Sequence, residues 1–262
     1  MPGPCSELTV LDFSTGMPGA LTTAVLADYG AELIKVEPPS GDPFRNNSSW
    51  LAWNRGKKGI VLDLTSIEGR EQAQQMAARA DILVESFRPG DTEGFGIDYE
   101  TVSKINPHLV YCSITGFGQK GRLRRLKAYE GIVAAKSGRM AGFTGQSPRE
   151  GPFYPAVETA TWSTSQAAVR GILAALRIRA STGKGQWVQT SLLQGMMCYV
   201  GGRIMDEFFS RKDPVQFPPN VTAAERAIAL PTLEYIPVRT KDGRWLQHAN
   251  NAQNPRLVQA HL

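Results

Sequence analysis

Two stretches of the chain bring positive charge together with the residue types that hold an anion. In the first, Arg45, Arg55, Lys57 and Lys58 are interleaved with Trp50 and Trp53. Cations beside indole rings can clamp phosphates while the rings stack on a base. The same residues also suit a solvated loop with two tryptophans tucked beneath it. In the second, Arg122, Arg124, Arg125 and Lys127 form the densest positive cluster in the chain, which also suits a solvated loop. Lys127 and Glu130 lie three residues apart on an incipient helix, a spacing that predicts a shared face. A third feature is the turn holding Gly16 and Gly19, where backbone N–H groups at a helix start can meet a phosphate. That turn is not G-x-G-x-x-G, so it argues only weakly for a nicotinamide dinucleotide. The two glycines equally suit a turn with no ligand.

The elements that would position these residues are legible from hydrophobic pattern. LTVLD reads as a buried strand, FSTGMPG turns the chain, ALTTAVLADYG has helical spacing with Gly30 just past its end, and AELIKVE is a second strand. Strand, turn, helix and strand in about thirty residues make a βαβ unit. GIVLDL, DILVES, HLVYCSIT and WVQTSLLQ continue the strands. TSIEGREQAQQMAARA, with Thr65 or Ser66 as cap and Glu68 in the first turn, DYETVSKINP and ETATWSTSQAAVRGILAALRIRAST supply helices between them. The pattern predicts an α/β fold with a doubly wound parallel sheet whose ligand sits beyond the carboxyl ends of the strands. GFTGQSPREGPFYP reads as a loop, and GMMCYVGGRIMDEFF as a further helix. From Ser210 the chain is proline-rich and leads to a β-hairpin with Asp242–Gly243 as its turn. We therefore divide it into a large domain over residues 1–210 and a linker with an incomplete small domain over 211–262, since a hairpin does not make a domain alone.

Bulk properties narrow the function classes. The 262 residues are 42% apolar and 20% charged, with a formal net charge of +5. This is the balance of a globular protein that favours anionic ligands without the long basic tract of a nucleic-acid binder. Cys5, Cys112 and Cys198 are odd in number and far apart, which excludes a disulfide framework and a C-x-x-C metal knuckle. No metal is expected. The opening MPGPCSE is not a signal peptide and no apolar run reaches membrane-spanning length, so a cytoplasmic location is expected.

Five motifs in order carry a family resemblance: LDFSTGMPGALTTAVLADYGAELIKVEPPSGDPFR, WNRGKKGIVLDL, ADILVESFRPG, INPHLVYCSITGFG and GILAALRIRASTGKGQWVQTSLL. They resemble the class III CoA-transferases, the CaiB/BaiF family, from about Leu8 to about Gln247. The resemblance implies a Rossmann-like large domain, a smaller second domain and an interlocked dimer. It implies coenzyme A as the ligand, with an acyl-CoA thioester and a carboxylic acid as substrates. The positions that match CoA contacts are Gly16 and Met17; Leu62, Asp63, Leu64 and Thr65; Ser86, Phe87 and Arg88; and Lys127, Ala128, Tyr129 and Glu130. Pro38 stands where members often carry a basic residue, and Ser86 where they have Asn. The family's catalytic Asp, ten or eleven residues before the GILAAL run, falls on Ala160 or Thr161. Glu158 is the nearby acid that could take its place, and a capping or surface role is the other reading of it. Racemases of the family use a His where this chain has Tyr129, which argues against racemisation. The resemblance is to the half of a fused member that lacks the Asp, acting with a second, active half, or to a homodimer.

Overall fold

The computed structural model describes residues 2–140, 154, 157–200, 212, 237–239 and 241–247. Six parallel strands form one sheet: β1 (Thr9–Asp12), β2 (Glu32–Glu37), β3 (Lys58–Val61), β4 (Ile82–Glu85), β5 (Val110–Thr115) and β6 (Trp187–Ser191), in the order β3-β2-β1-β4-β5-β6. β1 pairs with β2 through Val10↔Leu33 and with β4 through Val10↔Ile82, so the order reverses between β1 and β4. The connections carry α1 (Met17–Asp28), α2 (Trp50–Trp53), α3 (Ile67–Ala77), α4 (Asp91–Phe95), α5 (Tyr99–Ile105), α6 (Glu130–Lys136) and α7 (Thr159–Thr182).

Alternation along the central strands sends side chains into two cores. Val10, Leu33, Ile82, Val84, Val110 and Cys112 pack on one face with Leu26 of α1 and Ala168, Ile172 and Ala175 of α7. Leu11, Leu83 and Tyr111 face the other way, against Ala73 and Ala77 of α3 and Val102 of α5. Helices cover both faces, as the sequence predicts for a doubly wound sheet. Each large apolar side chain fully buried this way contributes about 1.5–3 kcal/mol. β3 at one edge is exposed along its whole length.

The local signals explain the boundaries. Ser66 caps α3 by accepting the Gly69 N–H at 2.9 Å. Gly30, at φ 97°, follows α1, and its N–H reaches the Ala27 carbonyl at 2.8 Å. α7 stops at Gly183, φ 69°. Residues 192–200 are helical. By contacts the chain divides into one unit of Met1–Val133 with Val157–Cys198 and another of Ala134–Ala156 with Tyr199–Leu262. In the second unit, β7 (Pro237–Arg239) pairs antiparallel with β8 (Trp245–Gln247) around the expected Asp242–Gly243 turn. The boundary expected at residue 210 and most of the GFTGQSPREGPFYP loop lie outside the described residues.

Candidate functional site

The order reverses between β1 and β4, and the carboxyl ends of strands at such a reversal are the place where open α/β sheets take ligands. Ser86 ties the two strand ends together there. Its hydroxyl accepts the Thr15 N–H at 2.9 Å and donates to the Thr15 carbonyl at 3.1 Å. Gly16 and Met17, which follow Thr15, are thereby tied to the end of β4 at Ser86. Gly16 sits at φ 74° with Phe44 against it, a backbone conformation that suits glycine. At Gly19 a Cβ would lie 2.1 Å from the Ser14 Cβ, so the start of α1 closes directly on the end of β1. Both glycines therefore have structural reasons for their places.

The other two predicted segments lie along the same edge. Leu62 is buried and its N–H continues the ladder to the Glu37 carbonyl at 2.9 Å. Asp63 is exposed and folds onto Thr65, accepting its N–H at 2.9 Å and its hydroxyl at 2.6 Å, which holds the Asp63 carboxyl below its usual range. Lys127 to Glu130 cross the end of β5, where a Cβ on Gly116 would lie 2.3 Å from that of Ala128. Lys127, Ala128 and Tyr129 are exposed and precede the helix, which begins at Glu130. The shared helical face expected for Lys127 and Glu130 is therefore not formed.

Glu130 instead points at the start of α7. Its carboxylate accepts the N–H groups of Ala160 (2.9 Å) and Thr161 (2.8 Å) and the Thr161 hydroxyl (2.8 Å). It thus satisfies donors that the helix start leaves open and meets the positive end of the helix dipole. Glu158, at the N-cap position of α7, makes no side-chain cap bond. Partial burial, then the nearby Glu130 charge, push its carboxyl above the usual range.

Charge pairing separates the two basic stretches. In the first, every cation has an internal partner: Arg45–Glu37, Arg55–Asp28, Lys57–Asp12 at 3.0 Å and Lys58–Glu32 at 2.6 Å. Arg45 also lies 4.6 Å from the Trp50 ring centre, so cation and ring hold one another. In the second, Arg125 pairs with Asp91 at 3.0 Å. Arg88, Arg122, Arg124 and Lys127, by contrast, make no ion pair among the described residues. The uncompensated charge follows β4 and β5. The most deeply buried ions escaped the sequence reading. Asp12, fully buried at the end of β1, meets Lys57 at 3.0 Å, Lys35 at 3.5 Å, the Ser14 hydroxyl at 2.5 Å and the Thr23 hydroxyl at 2.7 Å. Burial opposes its charge, but the two lysines and two hydroxyls prevail and hold it well below the carboxylate range. Glu85, at the end of β4, was likewise missed. The signal for both was a charge inside an apolar strand run. Among the described residues, no group of three or more His, Cys, Asp or Glu is placed to hold a metal, and no helix is long and apolar enough to cross a membrane.

The family model "CoA-transferase family III" matches residues 6–261. The chain belongs to this family. It is 33% identical to succinyl-CoA:glutarate CoA-transferase of Mus musculus over 97% of its own length and 58% of that protein. It is 36% identical to acetyl-CoA:oxalate CoA-transferase of Acetobacter aceti, over 78% of this chain and 54% of the other. This family III chain thus spans a little over half the length of these relatives. The crystal structure of a CAIB/BAIF family protein from Brucella suis superposes with a TM-score of 0.76 at 30% identity, covering 99% of this chain and 70% of that one. The Rossmann-like sheet and the family resemblance stand on these matches.

Proposed function

We propose that this family III chain binds an acyl-CoA thioester across the carboxyl ends of β1, β4 and β5 and takes part in moving CoA from that thioester to a carboxylic acid. The observation that carries this reading is the run of cations at the strand ends that meet no acid among the described residues, Arg88 and Lys127 foremost, with the Ser86-tied turn at Gly16 and Met17. An anion with several phosphates suits that arrangement, and the remaining matched positions from Leu62 to Thr65 extend it along the edge. The names of the relatives, with glutarate and oxalate as acceptors, favour a dicarboxylate as the acid.

Glu158 is the carboxylate we assign to the chemistry. Its oxygen would attack the thioester carbonyl, the C–S bond would break, and CoA would leave as thiolate, leaving a mixed anhydride. The acceptor carboxylate would take the acyl group and free Glu158. CoA thiolate would then attack the acceptor carbonyl and release the donor acid. The geometry of α7 favours a second reading, a silent CoA-binding half working with an active partner. Ala160 and Thr161 carry no carboxylate, and Glu130 spends its own on the helix start. We take this chain's partner to be a second copy of itself or a second transferase half, in the cytoplasm.

The test is equilibrium binding of CoA, followed by incubation with succinyl-CoA, glutarate and hydroxylamine. We expect binding that weakens with salt, and about tenfold weaker binding for Lys127→Ala, the loss of one charge-assisted contact. Turnover abolished by Glu158→Gln supports the catalytic reading. Binding without turnover supports the silent half. Unchanged affinity in Lys127→Ala overturns the site.

A further inference from the structure

Glu85 is the last residue of β4, 3% exposed, and the binding reading above does not use it. Its Oε2 accepts the Phe87 N–H at 2.7 Å, closing the turn that begins at Ser86. The Phe87 ring is fixed in turn against Phe95, with centroids 5.2 Å apart, so that Arg88 is left at the surface. On the β5 side Glu85 stands in register with Ser113, whose hydroxyl accepts the Trp187 indole N–H at 2.9 Å. The charged groups acting on it from α4 are the acids Asp91 and Glu93, and Asp91 is itself paired with Arg125. Tyr111, on the same sheet face, and Cys112, on the opposite one, are both pushed up, chiefly by burial and then by the Glu85 charge. The Asp12–Lys35–Lys57 group belongs to the opposite face of the sheet, since Asp12 pairs with Val84 rather than Glu85.

We infer that Glu85 is a positioning residue for the anion site: its carboxyl sets the Ser86–Arg88 turn through the Phe87 N–H, and binding of an anion at that turn is coupled to proton uptake by this carboxyl. The coupling follows from placement. Burial disfavours the charged carboxyl, Ser113 and the Phe87 N–H favour it by hydrogen bonding, and Glu93 and Asp91 oppose it. An anion brought to the end of β4 adds further negative potential and so favours the protonated form. Burial pushes this carboxyl up to about 7 in the folded chain with no ligand bound, so the coupling falls at neutral pH. This inference rests on the proposed CoA site.

The experiment measures CoA affinity from pH 6 to 8.5 for the wild type and Glu85→Gln, which keeps an acceptor for the Phe87 N–H but cannot ionise. CoA's own phosphate titrates identically in both, so their difference isolates Glu85. We expect wild-type affinity to fall about threefold more than that of Glu85→Gln across this range. Parallel profiles overturn the coupling. In the absence of ligand, the Phe87 amide resonance should move with a midpoint near 7 in the wild type and stay fixed in Glu85→Gln. A wild-type amide that does not titrate overturns the positioning role. If CoA binds neither protein at any pH, the site reading and the coupling fall together, and the amide titration still decides whether Glu85 sets the turn.

Discussion

At the scale of single residues, buried charge governs both stability and its pH dependence. The Lys57 side chain is 1% exposed and serves Asp12, the Ala20 carbonyl, the Thr23 hydroxyl and the Asn54 side chain at once. Burial drags its own titration down, and Asp12 restores part of it. Lys57→Met should therefore cost about 1.5–3 kcal/mol in urea denaturation, since it leaves the buried Asp12 carboxylate with Lys35 as its remaining counter-charge. Glu85 works in the other direction. Its carboxyl titrates near 7 in the folded chain and near 4.5 when free, so the native state binds the extra proton between those values. Stability must then fall as pH rises through that window. Glu85→Gln should flatten the slope and be the more stable protein at pH 8, by on the order of 3 kcal/mol, in denaturation series at pH 4.5 and 8.

At the scale of elements, α3 and α7 solve the same problem differently. α3 is capped by its own Ser66, and Ser66→Ala should cost about 1 kcal/mol. α7 takes its acceptor from a residue 30 positions earlier, Glu130 bonding Ala160. Glu130→Ala should lower stability by about 1–3 kcal/mol, visible as a lower Tm, and Glu130→Gln should recover part of it. The difference also shows what sequence can carry. Ser66 was readable because a local cap sits a fixed step before its helix. Glu130 was read as a ligand contact on a helical face with Lys127. A cap supplied from afar leaves no mark in local spacing. The strands and their order of appearance were legible because β-branched runs alternate with helical ones. Their spatial order was implied only by the fold class.

At the scale of the whole molecule, the same limit applies to charge. Arg45, Arg55, Lys57 and Lys58 looked as promising as Arg88 and Lys127. Only the folded arrangement shows that the former group is neutralised by Glu37, Asp28, Asp12 and Glu32. Net charge is a sum, whereas recognition depends on what remains after pairing. Raising ionic strength should accordingly weaken CoA binding far more than it changes the unfolding midpoint, because surface charges are screened and the buried Asp12 group is not. The sheet order has one more implication. β1 is made first, yet its partner β4 lies some seventy residues downstream, as Val10↔Ile82 records. A nascent chain ending after β3 holds Leu11 with a neighbour on one side only. The middle of the sheet must then stay open until the ribosome has delivered β4, and parallel pairing across such separations is slow. The pair of strand ends that would receive the thioester is therefore among the later features to take shape during synthesis.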